Sequence, residues 1–141
     1  GYETLHGMMS CGFPNQFFVG FYQGGFNATT TETFSRQGQH IAYVIKEALA
    51  RGATSVEPSR DAQNAWVKHV RETAIDISQF QTECTPSYFN NEGEAQVNSK
   101  GEAKFRWYLG ESYGPGWDAF QKLMQEWRDK GDLEGLVVGN D

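Results

Sequence analysis

The chain has 141 residues, 38% of them hydrophobic and 14% aromatic, with a formal net charge of -6 and a mean hydropathy of -0.61. Twelve Lys and Arg against eighteen Asp and Glu, in no cluster, exclude nucleic acid as a partner, because phosphate neutralisation needs grouped cations. Apolar runs of only a few residues exclude a bilayer span, which takes roughly 20, and no apolar signal segment opens the chain.

The length suits one domain. Large rings in a polar background need walls to pack on, and a short chain offers few. Some of these rings are therefore expected to be covered by protein beyond this chain, the alternative being a complete small domain with an aromatic core. Cys11 and Cys84, far apart, form neither a disulfide framework nor a metal-type spacing, which points to free thiols in a reducing, cytoplasmic compartment. The first residue is Gly1 rather than Met, so the amino terminus reads as a boundary made by processing or cloning.

In chain order, Phe17-Phe18-Val19 is a β-prone apolar run between the turn signals Gly12, Pro14 and Gly20, and predicts a buried strand of a larger sheet. A loop with Gln23-Gly24-Gly25 leads to a helix whose start carries a capping box, Thr29 with Glu32, and a competing cap, Thr31. Phe34, Ile41, Ala42, Val44, Ile45, Ala48 and Leu49 give that helix a broad apolar face, and Gly52 ends it. Gly38 inside it marks either a close neighbour or a weak spot. Pro58 suits the first position of a second helix, with Ala62, Ala65, Trp66, Val70, Ala74 and Ile77 as its stripe and an end near Ser78.

Residues 79–101 are polar and turn-forming, with no regular element expected. Tyr88-Phe89 there either staple the loop or line a cleft. Residues 104–109 alternate as a half-buried strand. A third helix starts near Trp117 or Asp118 with Phe120, Leu123, Met124 and Trp127 on one face and Gly131 as its stop, and Leu133 with Leu136-Val137-Val138 reads as a last short strand. The fold class is α/β, mixed α+β for this stretch, with three amphipathic helices and a few short strands.

His6, His40 and His69 show no metal-type spacing, no GxSxG elbow is present, and Glu83-Cys84 has no basic neighbour, so no metal and no catalytic residue is assigned. His40, beside Ile41 on the first helix, reads as a packed or surface residue. The strand, glycine loop and capped helix together can receive an electron-rich cofactor edge, since unpaired N–H groups and the helix dipole point there. The glycine pair alone is also compatible with a plain turn, and the dinucleotide fingerprint GxGxxG is absent.

Gly12-Phe13-Pro14-Asn15-Gln16-Phe17-Phe18, Gln23-Gly24-Gly25-Phe26 and Gln39-His40-Ile41-Ala42-Tyr43 resemble the carboxyl-terminal part of Baeyer-Villiger monooxygenases. The resemblance continues through Ala53-Thr54-Ser55-Val56-Glu57-Pro58 with Trp66, Cys84 to Gly93, Trp127-Arg128, and Gly131 to Leu136. It implies a doubly wound FAD- and NAD(P)-binding fold, bound FAD, reduction by NADPH, and oxygen insertion beside a ketone carbonyl to give an ester or lactone. Residues 1–52 would hold the closing strand, flavin-facing loop and helix of the FAD domain, and residues 53–141 a helical and loop region with late strands.

By the same resemblance Thr31, Glu32 and Thr33 contact the flavin, while Phe26, Asn27, Ala28, Thr29 and Thr30 wall the ketone pocket. Tyr88 follows Ser87 where many members carry Trp, and inherits the place near the nicotinamide nucleotide. The amino-terminal GxGxxG, the FxGxxxHxxxW signature, the second nucleotide motif and the active-site arginine are absent. The chain is thus expected to be a catalytically silent fragment that lacks its FAD and NADP domains and pairs exposed apolar faces with a second copy. The rival expectation is a self-contained α+β module for protein binding or oligomerisation.

Overall fold

The computed structural model describes residues 3–75, 96–97, 103–104 and 112–140. The chain begins with a tight turn, Leu5 bridged to Met9, in which His6 and Gly7 take left-handed φ of 55° and 75°. Leu5, Met8 and Met9 are thereby turned inward as the floor of the core. Three α-helices close over them: α1 Thr30–Ala50, α2 Arg60–Thr73 and α3 Trp117–Lys130. Val44 and Ala48 of α1, Trp66 and Val70 of α2, Phe120, Met124 and Trp127 of α3, and Leu133 complete one cluster.

The stripe of α3 follows the expected periodicity, but α1 buries Thr33, Gln37, His40, Val44 and Ala48 and leaves Phe34, Ala42, Ile45 and Leu49 of its expected apolar face exposed, and several boundaries move. Ser59, not the proline, starts α2: its hydroxyl accepts from Ala62 N–H at 3.2 Å. Pro58 instead ends a strand, β1 (Ser55–Pro58). The helix stops at Thr73 rather than near Ser78, because Ala74 turns to extended ψ of 138°. The Thr73 hydroxyl folds back to donate to His69 O, a local bond that competes with helix continuation. Gly131 is the left-handed cap of α3, and Gly52, at φ of 69°, follows the cap of α1.

The last strand, β4 (Leu136–Gly139), pairs antiparallel with β1, from Ser55 opposite Gly139 to Pro58 opposite Leu136. Residues 55–58 carry only two apolar side chains, too few for a recognisable alternation. Within residues 79–101, expected to hold no regular element, lies a strand, β2 (Gln96–Val97), which pairs with β3 (Ala103–Lys104) just beyond that stretch. The expected strand over residues 104–109 is thus seen only at its start, and the rest lies outside the described residues.

The largest correction concerns residues 17–19, which form no strand. Phe18 N–H donates to Met8 O at 3.0 Å, but no ladder follows, and Val19 is exposed. A strand needs a neighbour along its length, and none of the described strands lies beside it.

Candidate functional site

The loop between residues 20 and 29 is fastened at its base and open at its tip. Gln37 of α1 grips Gly20 twice, accepting from its N–H at 3.0 Å and donating to its C=O at 2.7 Å. Gln23 is held in a left-handed conformation, φ 51°: its side-chain oxygen accepts from Thr4 N–H and hydroxyl at 3.0 and 2.7 Å, and its carbonyl accepts from Trp66 Nε1 at 3.0 Å. The Gly24 carbonyl accepts from Tyr113 N–H at 2.9 Å. Gln37→Leu strips both partners from Gly20 and is expected to lower stability by about 1–3 kcal/mol, read from urea denaturation midpoints.

The sequence placed Gly24-Gly25 in a loop shaped to receive a polar cofactor group. The structure gives the pair a packing task. Both are buried, and a Cβ on Gly25 would stand 2.8 Å from Phe120 Cβ. The missing side chains let α3 approach the loop. Gly38 meets nothing within 4 Å, so it is a helix weak spot rather than a close contact within the described residues.

At the tip the α1 amino terminus is open. Thr29 is the N-cap, but its side chain makes no capping bond. Asn27 Oδ1 accepts from Thr29 N–H at 2.8 Å, so the loop turns on Asn27. The capping box does not close, because Glu32 pairs with Arg36 at 2.8 Å on the surface. Thr33 is buried, its hydroxyl and N–H both donating to Thr29 O. The first-turn N–H groups of Thr30, Thr31 and Glu32 precede the first intrahelical bond and carry the positive end of the helix dipole. Thr30 and Thr31 are exposed, as are Ala28 and Phe26. Phe26 is 57% exposed and Phe34 38%, and both stand about 6 Å from the Phe21 ring, at 6.0 and 5.9 Å. The structure thus gathers residues 26–33 at one apolar-rimmed helix start. Tyr88 lies outside the described residues.

Two features were not foreseen. One is a cleft of about 380 Å³ lined by Glu3, Thr4, Ser10, Phe13, Gln16, Phe18 and Tyr22, which none of the expected site residues lines. The other is a buried ring cluster. His6 packs edge-on against Trp66, Trp127 and His40 at centroid distances of 5.0, 5.5 and 5.7 Å. His40 also meets Trp127 at 5.1 Å and Arg128 Nη1 at 3.1 Å from Nδ1. Burial, then His40, pushes the His6 pKa down to about 3. Burial, then the Arg128 charge, pushes that of His40 down to about 4. Both rings are neutral near pH 7. His40 had an expected packed role; for His6 no sequence signal existed, since its surroundings come from α1, α2 and α3.

Among the described residues no group of three or more His, Cys, Asp or Glu could hold a metal, and no helix is long and apolar enough to cross a membrane. Cys11 is a free, half-buried thiol.

No protein-family model matches the chain. It is 36% identical over 136 residues to the FAD-binding monooxygenase hmp7 of Hypomyces subiculosus, covering 96% of this chain and 21% of that protein. It is 35% identical over 130 residues to a Baeyer-Villiger monooxygenase of Streptomyces coelicolor, covering 92% and 20%. The polycyclic ketone monooxygenase of Thermothelomyces thermophila superposes with a TM-score of 0.76 at 32% identity, over 97% of this chain and 21% of that one. A cyclohexanone-bound cyclohexanone monooxygenase shares the fold at a TM-score of 0.66 and 19% identity, over 99% and 22%. The chain, which spans about a fifth of the length of these relatives, is homologous over that stretch to the Baeyer-Villiger and other FAD-binding monooxygenases.

Proposed function

We propose that this chain is the carboxyl-terminal part of an FAD- and NADPH-dependent monooxygenase that inserts oxygen beside a ketone carbonyl, forming an ester or lactone. The observation that carries the reading is the identity of about a third to monooxygenases of that kind along nearly the whole chain. The open start of α1 supports it: uncapped N–H groups and a helix dipole suit an electron-rich ring edge.

In this proposal Thr31 and Glu32 meet the pyrimidine edge of the flavin through backbone N–H groups, and Thr33 holds the turn in shape through its bonds to Thr29. Phe26, Asn27, Ala28, Thr29 and Thr30 form one wall of the ketone pocket, Phe26 offering its ring and Asn27 fixing the turn. Tyr88 serves the nicotinamide side. FAD, when bound, supplies the redox chemistry that draws on NADPH and dioxygen; this chain binds, orients and excludes water. Exposed Phe13 and Phe26 and the unladdered residues 17–19 favour this reading over a self-contained module, because an autonomous fold would cover such rings and pair such a segment.

The test is the complete reading frame. The full polypeptide is expected to carry two GxGxxG motifs upstream, to purify yellow with FAD, and to oxidise NADPH when a cyclic ketone is added, whereas the 141-residue chain alone is expected to do neither. Flavin-free full-length protein without ketone-dependent turnover would overturn the proposal. Hydrogen exchange adds a second check: amides of residues 17–19 should be weakly protected in the short chain and strongly in the full one.

A further inference from the structure

The contact between α1 and α3 contains a hydrogen-bond donor with nothing to donate to among the described residues. Arg128 Nη1 lies 3.1 Å from His40 Nδ1, and a guanidinium has donors only, so Nδ1 accepts and the neutral ring carries its proton on Nε2. His40 is 1% exposed, and its Nε2 has no partner among the described residues. Buried polar atoms left this way are rare in folded proteins and call for a partner.

Beside the ring is a space of about 10 Å³, lined by His40, Arg36, Gln37, Gln121 and Arg128, with Phe120 among its apolar neighbours. That is the order of one water sphere. Two guanidinium groups exclude a cation there, and the size excludes a phosphate or sulfate. Of the two amide side chains in the lining, Gln37 is bonded through both its ends to Gly20, and Gln121 supplies the amide oxygen able to accept.

We propose that this space is a binding site for one ordered water, which accepts from His40 Nε2–H and donates to the Gln121 amide oxygen. The water joins α1 to α3 where direct contact falls short. It lies against Gln37, the residue that grips Gly20, so it also steadies the turn carrying the loop to the α1 start. His40 and Gln121 are positioning residues in this arrangement, and neither touches a reacting group.

A high-resolution crystal structure of the full encoded polypeptide tests this. One density peak within about 3.2 Å of both His40 Nε2 and the Gln121 amide oxygen is expected. An empty space, a protein atom filling it, or a peak with the anomalous signal of chloride would overturn the proposal. Histidine-selective nitrogen-15 labelling supplies an independent reading: the His40 proton is expected on Nε2 with a cross-peak to water, and a proton on Nδ1 or the absence of that cross-peak counts against the site. Gln121→Leu should erase the water peak and hasten exchange of Nε2–H. If both persist unchanged in the variant, Gln121 is not the acceptor and the proposal fails; should the variant not fold, the unsubstituted protein still decides.

Discussion

Gly25→Ala is expected to destabilise the chain by about 1–3 kcal/mol, seen as a lower urea midpoint with an unchanged slope. The added Cβ would stand 2.8 Å from Phe120 Cβ and 3.0 Å from Cγ and Cδ1 of the same ring. Phe120 cannot swing clear, because the nearest of these atoms is fixed to the α3 backbone and the ring is packed with Trp66 and Tyr113 at 6.1 and 5.7 Å. The residue does not have positive φ, so the cost comes from the collision and not from the backbone. Gly38→Ala is the matching control with the opposite sign. It lies within α1 with open space around it, and alanine there is expected to stabilise the 141-residue chain by about 0.5–1 kcal/mol. If Gly25→Ala leaves the midpoint unchanged or raises it as Gly38→Ala does, the close approach of α3 to the loop is wrong.

Acid is expected to unfold the protein earlier than its carboxylates alone would dictate. The folded pKa values of His6 and His40, about 3 and about 4, lie below the ordinary 6.5. An unfolded chain therefore takes up protons as pH falls past 6.5, while the folded one refuses them. The stability that the neutral rings contribute is complete above that value and is lost as pH drops toward the folded values. Each histidine contributes a slope of about 1.4 kcal/mol per pH unit. Near pH 4.5 the two together remove on the order of 5 kcal/mol, comparable with the whole stability of a small domain, about 5–15 kcal/mol. Denaturant titrations from about pH 7 to 4.5 measure the slope. His6→Asn, chosen because asparagine tolerates the left-handed backbone, should remove roughly half of it. A flat stability profile over that range would show the two rings to be solvated.

How much of this was written in the chain can be followed residue by residue. The three helices were legible because their apolar stripes repeat at three and four residues, and in α3 the stop at Gly131 was legible as well. The start of α1 at Thr29 was legible, but not its chemistry: the capping box needs Glu32 to reach back, and Arg36 one turn on offers it an opposite charge instead. Residues 17–19 looked like a strand because the sequence records β-propensity, whereas a ladder depends on a second segment beside it. Pro58 illustrates the same limit. A proline suits the start of a helix or the end of an edge strand, and the partner of Pro58, Leu136 of β4, arrives 78 residues later in the chain.

Local periodicity and capping residues settle what a segment becomes when its own side chains hold most of the relevant interactions; by that route the sequence alone determined the helices, while the family resemblance lay in the ordered residue strings themselves. Which groups lie together was decided only in three dimensions. Gly25 meets Phe120, His6 meets Trp66 and Trp127, and Gln37 meets Gly20 through contacts between residues distant along the chain. No window of neighbouring residues contains such pairs, because burial, and with it the neutrality of the histidines and the need for glycine, is a property of the packed whole.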